Sequence, residues 1–92
     1  MKLTLLVRAY CHLCDEMADA LAPIANAAGA VVEIVDIDAP GLEHFEEAWG
    51  ERVPALFVGD PATGLLVCGT RLDAERLLAV LDDSRGVAAA GR

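Results

Sequence analysis

Leu3-Thr4-Leu5-Leu6-Val7-Arg8-Ala9-Tyr10-Cys11-His12-Leu13-Cys14 is the stretch on which the reading of this chain turns. Its first five residues offer apolar side chains to both faces of an extended segment, the pattern of a central strand covered on each side. Beyond the two cysteines, Cys14, Met17, Ala18, Leu21 and Ala25 recur at helical spacing. The cysteine pair therefore stands at a strand-to-helix junction. Two cysteines separated by two residues can close a small disulfide across a first helical turn. The first sulfur also meets the unpaired N–H groups and positive end of the helix, which favour a thiolate. Such a pair is suited to exchanging electrons with other disulfides.

Working outward, Pro23 lies inside the helical pattern and is expected to kink or break it, and Gly29 to stop it. Val31-Val32-Glu33-Ile34-Val35 reads as a second strand. Asp38 reads as the N-cap of a short second helix with Pro40 in its first turn, Leu42, Phe45 and Trp49 on its inner face, and Gly50 at its end. Glu43, Glu46 and Glu47 are the solvated face of that helix. Ala55-Leu56-Phe57-Val58 is a third strand. The turn-rich Gly59-Asp60-Pro61-Ala62-Thr63-Gly64 joins it to a fourth, Leu65-Leu66-Val67-Cys68, and so short a link requires an antiparallel hairpin. Asp73 caps a last helix carrying Leu77, Leu78, Val80 and Leu81, with Leu72 and Leu77 as a hydrophobic staple. The order is β-α-β-α-β-β-α, with the first two strands parallel across a right-handed crossover. Residues 1–83 form the domain, and the aperiodic residues 84–92 are expected to be a flexible tail.

Ninety-two residues allow one core. With 55% hydrophobic and 24% charged residues the chain is a globule, not a disordered acidic tail. A net charge of -8 argues against nucleic acid and against an anionic membrane surface. Arg8 interrupts the first apolar run too early for a signal segment or a membrane span. Three cysteines are too few for a secreted disulfide framework, so a cytoplasmic protein is expected; a monomer is the further expectation. Zinc would need four convergent ligands, and no second C-x-x-C or H-x-H pair accompanies the first.

This order, with Cys11-His12-Leu13-Cys14 at the first junction and Val53-Pro54 before the third strand, resembles the small glutaredoxin form of the thioredoxin superfamily. The resemblance covers residues 2 to 82, and the runs Cys11 to Asp15 and Arg52 to Pro54 resemble a bacterial glutaredoxin-like branch. It implies a thioredoxin/glutaredoxin-like α/β fold, a mixed four-stranded sheet of order 2-1-3-4 flanked by three helices. It also implies Cys11 as nucleophile, Cys14 as resolving thiol, and a cis Pro54 shaping a groove in which Val53 offers its backbone to substrate.

Two functions follow as expectations. One is a thiol-disulfide oxidoreductase exchanging Cys11-Cys14 with a protein or low-molecular-weight disulfide, with no cofactor. The other is a non-catalytic binding or redox-sensing module whose disulfide switches a partner contact. His12, when protonated, would favour the Cys11 thiolate, while Asp15 and Glu16 act the other way; otherwise His12 simply faces solvent. The resemblance offers Arg8 and Arg52 as basic groups for a glutathione co-substrate, against their ordinary reading as surface charges. The family's Gly-Gly is reduced here to Cys68-Gly69, and its following acidic residue is replaced, which weighs against glutathione. Cys68 is either a third thiol near the site or a packed strand residue.

Overall fold

The computed structural model describes residues 1–62 and 64–90. Thr63 of the expected turn, Gly91 and Arg92 of the expected tail, and the side chains of Glu46 and of residues 83–90 lie outside the described residues. The elements run β1 (Lys2–Val7), α1 (His12–Ala28), β2 (Val31–Asp36), α2 (Glu43–Trp49), β3 (Ala55–Val58), β4 (Leu65–Gly69) and α3 (Ala74–Ala90). They form one four-stranded sheet of order β2-β1-β3-β4. β1 pairs parallel with β2 and antiparallel with β3, and β3 pairs antiparallel with β4. This is the thioredoxin-like arrangement that the sequence leads one to expect.

β1 is central because its side chains feed two cores. Leu3 and Leu5 join Leu56 and Val67 under Met17, Leu21 and Ala25 of α1 and Leu77 and Leu81 of α3. Leu6 joins Ile37, Ala55 and Phe57 on the opposite face, where Phe45 and Trp49 of α2 and Val53 pack. Trp49 meets the Phe57 ring edge-on at 5.1 Å between centroids. Thr4, the polar residue inside β1, is buried, and its hydroxyl donates to the Gly59 carbonyl at 2.7 Å.

Two local expectations are corrected. Pro23 does not break α1, which continues to Ala28 and ends at Gly29 in the left-handed conformation (φ 70°). The bond that Pro23 cannot make belongs to the carbonyl of Asp19, and both residues are exposed, so water can satisfy it while Met17, Leu21 and Ala25 anchor the inner face. Asp38 caps no helix: α2 starts at Glu43, and Gly41 (φ 88°) interrupts any helix begun at Asp38. The Asp38 carboxylate is engaged by Arg8 instead. The helix α3 is drawn through Ala90, so it includes residues 84–90 of the segment 84–92.

A bulge in β4 was not foreseen. Leu56 pairs with Cys68 but Phe57 with Leu66, leaving Val67 as the extra residue. Both Val67 and Cys68 thereby reach the core beneath α1 and α3.

Candidate functional site

The site lies at one end of the sheet, set by register. β1 ends at Val7 and leads to Cys11, which stands at the N-cap of α1 with extended backbone (φ -103°, ψ 102°). Its sulfur accepts the Cys14 N–H at 3.1 Å, and its carbonyl accepts the Asp15 N–H at 3.2 Å. Cys11 and Cys14 form a disulfide with Cα atoms 5.2 Å apart. Cys11 is half-buried, whereas Cys14, one turn into the helix, is only 2% exposed. An attacking reagent can therefore reach the first sulfur more readily than the second.

β3 brings the second cluster to the same end. Ala55 pairs with Leu6 on one side and Gly69 on the other, so Val53 and Pro54 lie just beyond the ladder, level with the end of β1. The Val53–Pro54 peptide bond is cis. The Pro54 carbonyl accepts the Thr70 N–H at 2.9 Å, tying the segment to the end of β4. Among the described residues Val53 makes no backbone hydrogen bond. A Cβ added at Gly69 would stand 3.5 Å from the Pro54 carbonyl oxygen and 3.8 Å from that of Arg52, ordinary contact distances. Space alone therefore does not require glycine there.

The basic residues are occupied within the fold. Arg8 bonds both carboxylate oxygens of Asp38 and, through Nη1, the Gly50 carbonyl at 2.8 Å. Arg52 stacks its guanidinium over the Trp49 ring, 4.2 Å from the centroid. Both line a cleft of about 400 Å³ with Glu47, Glu51 and Gly50. The His12 side chain is 91% exposed and comes within 3.8 Å of Glu16 one turn on, an ion pair only when the imidazole is protonated. Cys68 packs against the core, and burial pushes its thiol above the ordinary value, partly offset by a backbone N–H from Asp73.

Two features at this end were missed in the sequence. Tyr10, immediately before Cys11, has a positive φ of 58° and a fully exposed side chain, and Thr70 has φ 68°. The only available signal was a tyrosine next to the cysteines with no place in any apolar periodicity. A groove of about 380 Å³, with Leu13, Met17, Ala20 and Leu72 in its wall and Glu16 and Arg71 beside them, runs between α1 and the segment after β4. Among the described residues, no helix is long and apolar enough to cross a membrane.

Comparison with known proteins places this geometry. No curated protein matches the sequence. Among solved structures, protein Ne2328 from Nitrosomonas europaea is 32% identical, with 86% of this chain and 88% of that one covered and a TM-score of 0.72. Target protein XcR50 from X. campestris is 43% identical over 88% of this chain and 96% of that one, with a TM-score of 0.62. Thioredoxin 1 from Thermosipho africanus TCF52B shares the fold at 13% identity, covering 97% and 99% of the two chains with a TM-score of 0.70. The family model for the glutaredoxin-like domain (DUF836) matches residues 2–82. With its sheet order, its helix-capping cysteine and that match, the chain belongs to the glutaredoxin-like domain family.

Proposed function

We propose that this domain is a dithiol–disulfide oxidoreductase. The observation that carries the reading is the asymmetry of the pair: a half-buried Cys11 at the helix N-cap, bonded to a buried Cys14. In the reduced protein the Cys11 thiolate, favoured by the helix N-terminus, attacks one sulfur of a substrate disulfide. A Cys11–substrate disulfide forms and the other substrate sulfur leaves as a thiolate. The Cys14 thiolate then attacks Cys11, closes the internal disulfide and releases the second substrate thiolate. The dithiol loses two electrons, the substrate disulfide gains them, and the two protons of the dithiol end on the substrate thiols.

The substrate is a protein or low-molecular-weight disulfide, and no resident cofactor is needed. The unpaired Val53 backbone supports a polypeptide, since an extended chain can pair there as an added strand. The bonds of Arg8 to Asp38 and Gly50 support a tethering role over a glutathione carboxylate site. A cytoplasm with reducing thiols suits such a cycle.

The test is reduction of a protein disulfide with dithiothreitol as electron source. The wild type is expected to turn over, Cys11→Ser to be inactive, and Cys14→Ser to accumulate a mixed disulfide detectable by mass. Turnover that survives Cys11→Ser would sink the assignment. No turnover by the folded wild type would leave the disulfide as a non-catalytic switch.

A further inference from the structure

The fold gains nothing from the side chain of Tyr10. The residue is fully exposed, and no hydrogen bond or ring contact to its side chain forms among the described residues. Its backbone, at φ 58°, lies in the left-handed region that a bulky L-residue occupies only at a cost. Glycine would hold the same turn without strain. A large aromatic ring kept in water at a strained position has no account within the monomer fold. Such outliers gather at functional sites.

Its location supplies the account. Tyr10 is the residue before Cys11, and Leu13, which is 38% exposed and opens onto the groove beside α1, is the residue before Cys14. The other large exposed apolar side chains, among them Val31, Ile34, Leu65 and Leu78, lie on other elements. An exposed aromatic body with a polar tip suits contact with another chain at little entropic cost.

We propose that Tyr10 is a specificity-determining residue by which the site selects polypeptide disulfides over small ones. This rests on the exchange reading above and names its substrate class. As Cys11 attacks, the ring covers apolar side-chain or backbone surface of the polypeptide next to its disulfide. A small disulfide has too little surface beyond its sulfurs to reach the ring.

The experiment uses two chromogenic mixed disulfides of thionitrobenzoate, one with a short cysteine-containing peptide and one with 2-mercaptoethanol. The protein is reduced beforehand with dithiothreitol and desalted. The Cys11 thiolate attacks the peptide or mercaptoethanol sulfur, and thionitrobenzoate leaves and is read by its colour. Tyr10→Ala is expected to raise the half-saturating concentration for the peptide disulfide about tenfold, leaving its limiting rate and the small disulfide unchanged. Tyr10→Phe should restore the wild-type value, because the ring and not the hydroxyl makes the contact. Tyr10→Gly should match Tyr10→Ala in the assay while unfolding at a higher temperature than wild type.

An unchanged peptide constant in Tyr10→Ala overturns the proposal and leaves the exchange reading standing. Equal slowing of both disulfides also overturns it, since the ring would then act on Cys11 or on the fold. A lower unfolding temperature for Tyr10→Gly overturns it as well. Failure of the wild type with both disulfides fails the exchange reading itself.

Discussion

Arg8 grips Asp38 through two N–H···O bonds, Nε to Oδ2 at 3.2 Å and Nη2 to Oδ1 at 2.8 Å, while Nη1 donates to the Gly50 carbonyl at 2.8 Å. One side chain at the end of β1 thus fixes the loop after β2 and the end of α2. Gly50 lies four residues before Pro54 and Arg8 three before Cys11, so this clamp joins the two segments that frame the site.

The Arg8 and Asp38 side chains are 32% and 37% exposed, so the pair keeps part of its hydration and falls short of the strength of a buried one. Its forked geometry places it at the upper end for surface pairs. A double-mutant cycle of Arg8→Leu and Asp38→Asn in urea unfolding should give a coupling of about 1 kcal/mol. Arg8→Leu alone should cost more than Asp38→Asn alone, because it also strips the Gly50 carbonyl of its partner. Equal single-mutant costs would mean that the Gly50 bond contributes nothing.

Cys68 gives stability a pH dependence. In the oxidised protein Cys11 and Cys14 are bonded to each other and Cys68 is the free cysteine. Burial raises its pKa, so above the ordinary thiol value the unfolded chain has released a proton that the folded chain keeps. The stabilisation is complete below the unfolded pKa and is lost as pH rises through the folded one. Urea midpoints of wild type and Cys68→Ala, compared at about pH 7 and about pH 10, should show a shallower alkaline loss in the variant. Alkylation of Cys68 in the native oxidised protein should be several-fold slower than in urea, and equal rates would show the thiol to be open to solvent.

The legible parts of this molecule were those fixed by local pattern. Leu3, Leu5 and Leu6 announce a strand with two buried faces, and they feed both cores. Gly29 ends α1 because its left-handed conformation turns the following N–H, that of Ala30, back onto the Ala25 carbonyl at 2.9 Å. Cys11 caps that helix as its spacing from Cys14 requires. What escaped depends on partners distant in sequence. An aspartate before a proline signals a cap, but Asp38 has a stronger claimant in Arg8, thirty residues away. The bulge at Val67 follows from fitting both Val67 and Cys68 against α1 and α3, and period-two alternation carries no trace of it. Tyr10 carries no sequence signal of its setting, because exposure and a positive φ belong to the folded chain alone.

Asp73 is a cap that both sequence and structure support. Its Oδ1 accepts the Arg76 N–H at 3.0 Å and its carbonyl accepts the Leu77 N–H at 3.0 Å, while Leu72 and Leu77 share the core beside it. Asp73→Ala should lower the unfolding free energy by about 1 kcal/mol, and Asp73→Asn by only a few tenths. Thermal or urea unfolding checks both, and an undiminished Asp73→Ala would mean that the staple alone holds the start of α3.

Pro23 offers the opposite change, a gain. It sits inside α1 on the exposed side, where it withholds an N–H from the Asp19 carbonyl and leaves that group to water. A proline in a helix interior costs about 3 kcal/mol relative to alanine, its restriction of the unfolded chain included. Pro23→Ala should therefore raise the unfolding free energy by about 3 kcal/mol, read from the urea midpoint at unchanged slope. Its effect on disulfide exchange should be nil, since Pro23 lies three turns along α1 from the Cys11 cap, by about 3.6 residues per turn. A loss of stability would instead assign Pro23 a packing role in the apolar groove that it lines with Leu21, Val32 and Ile34.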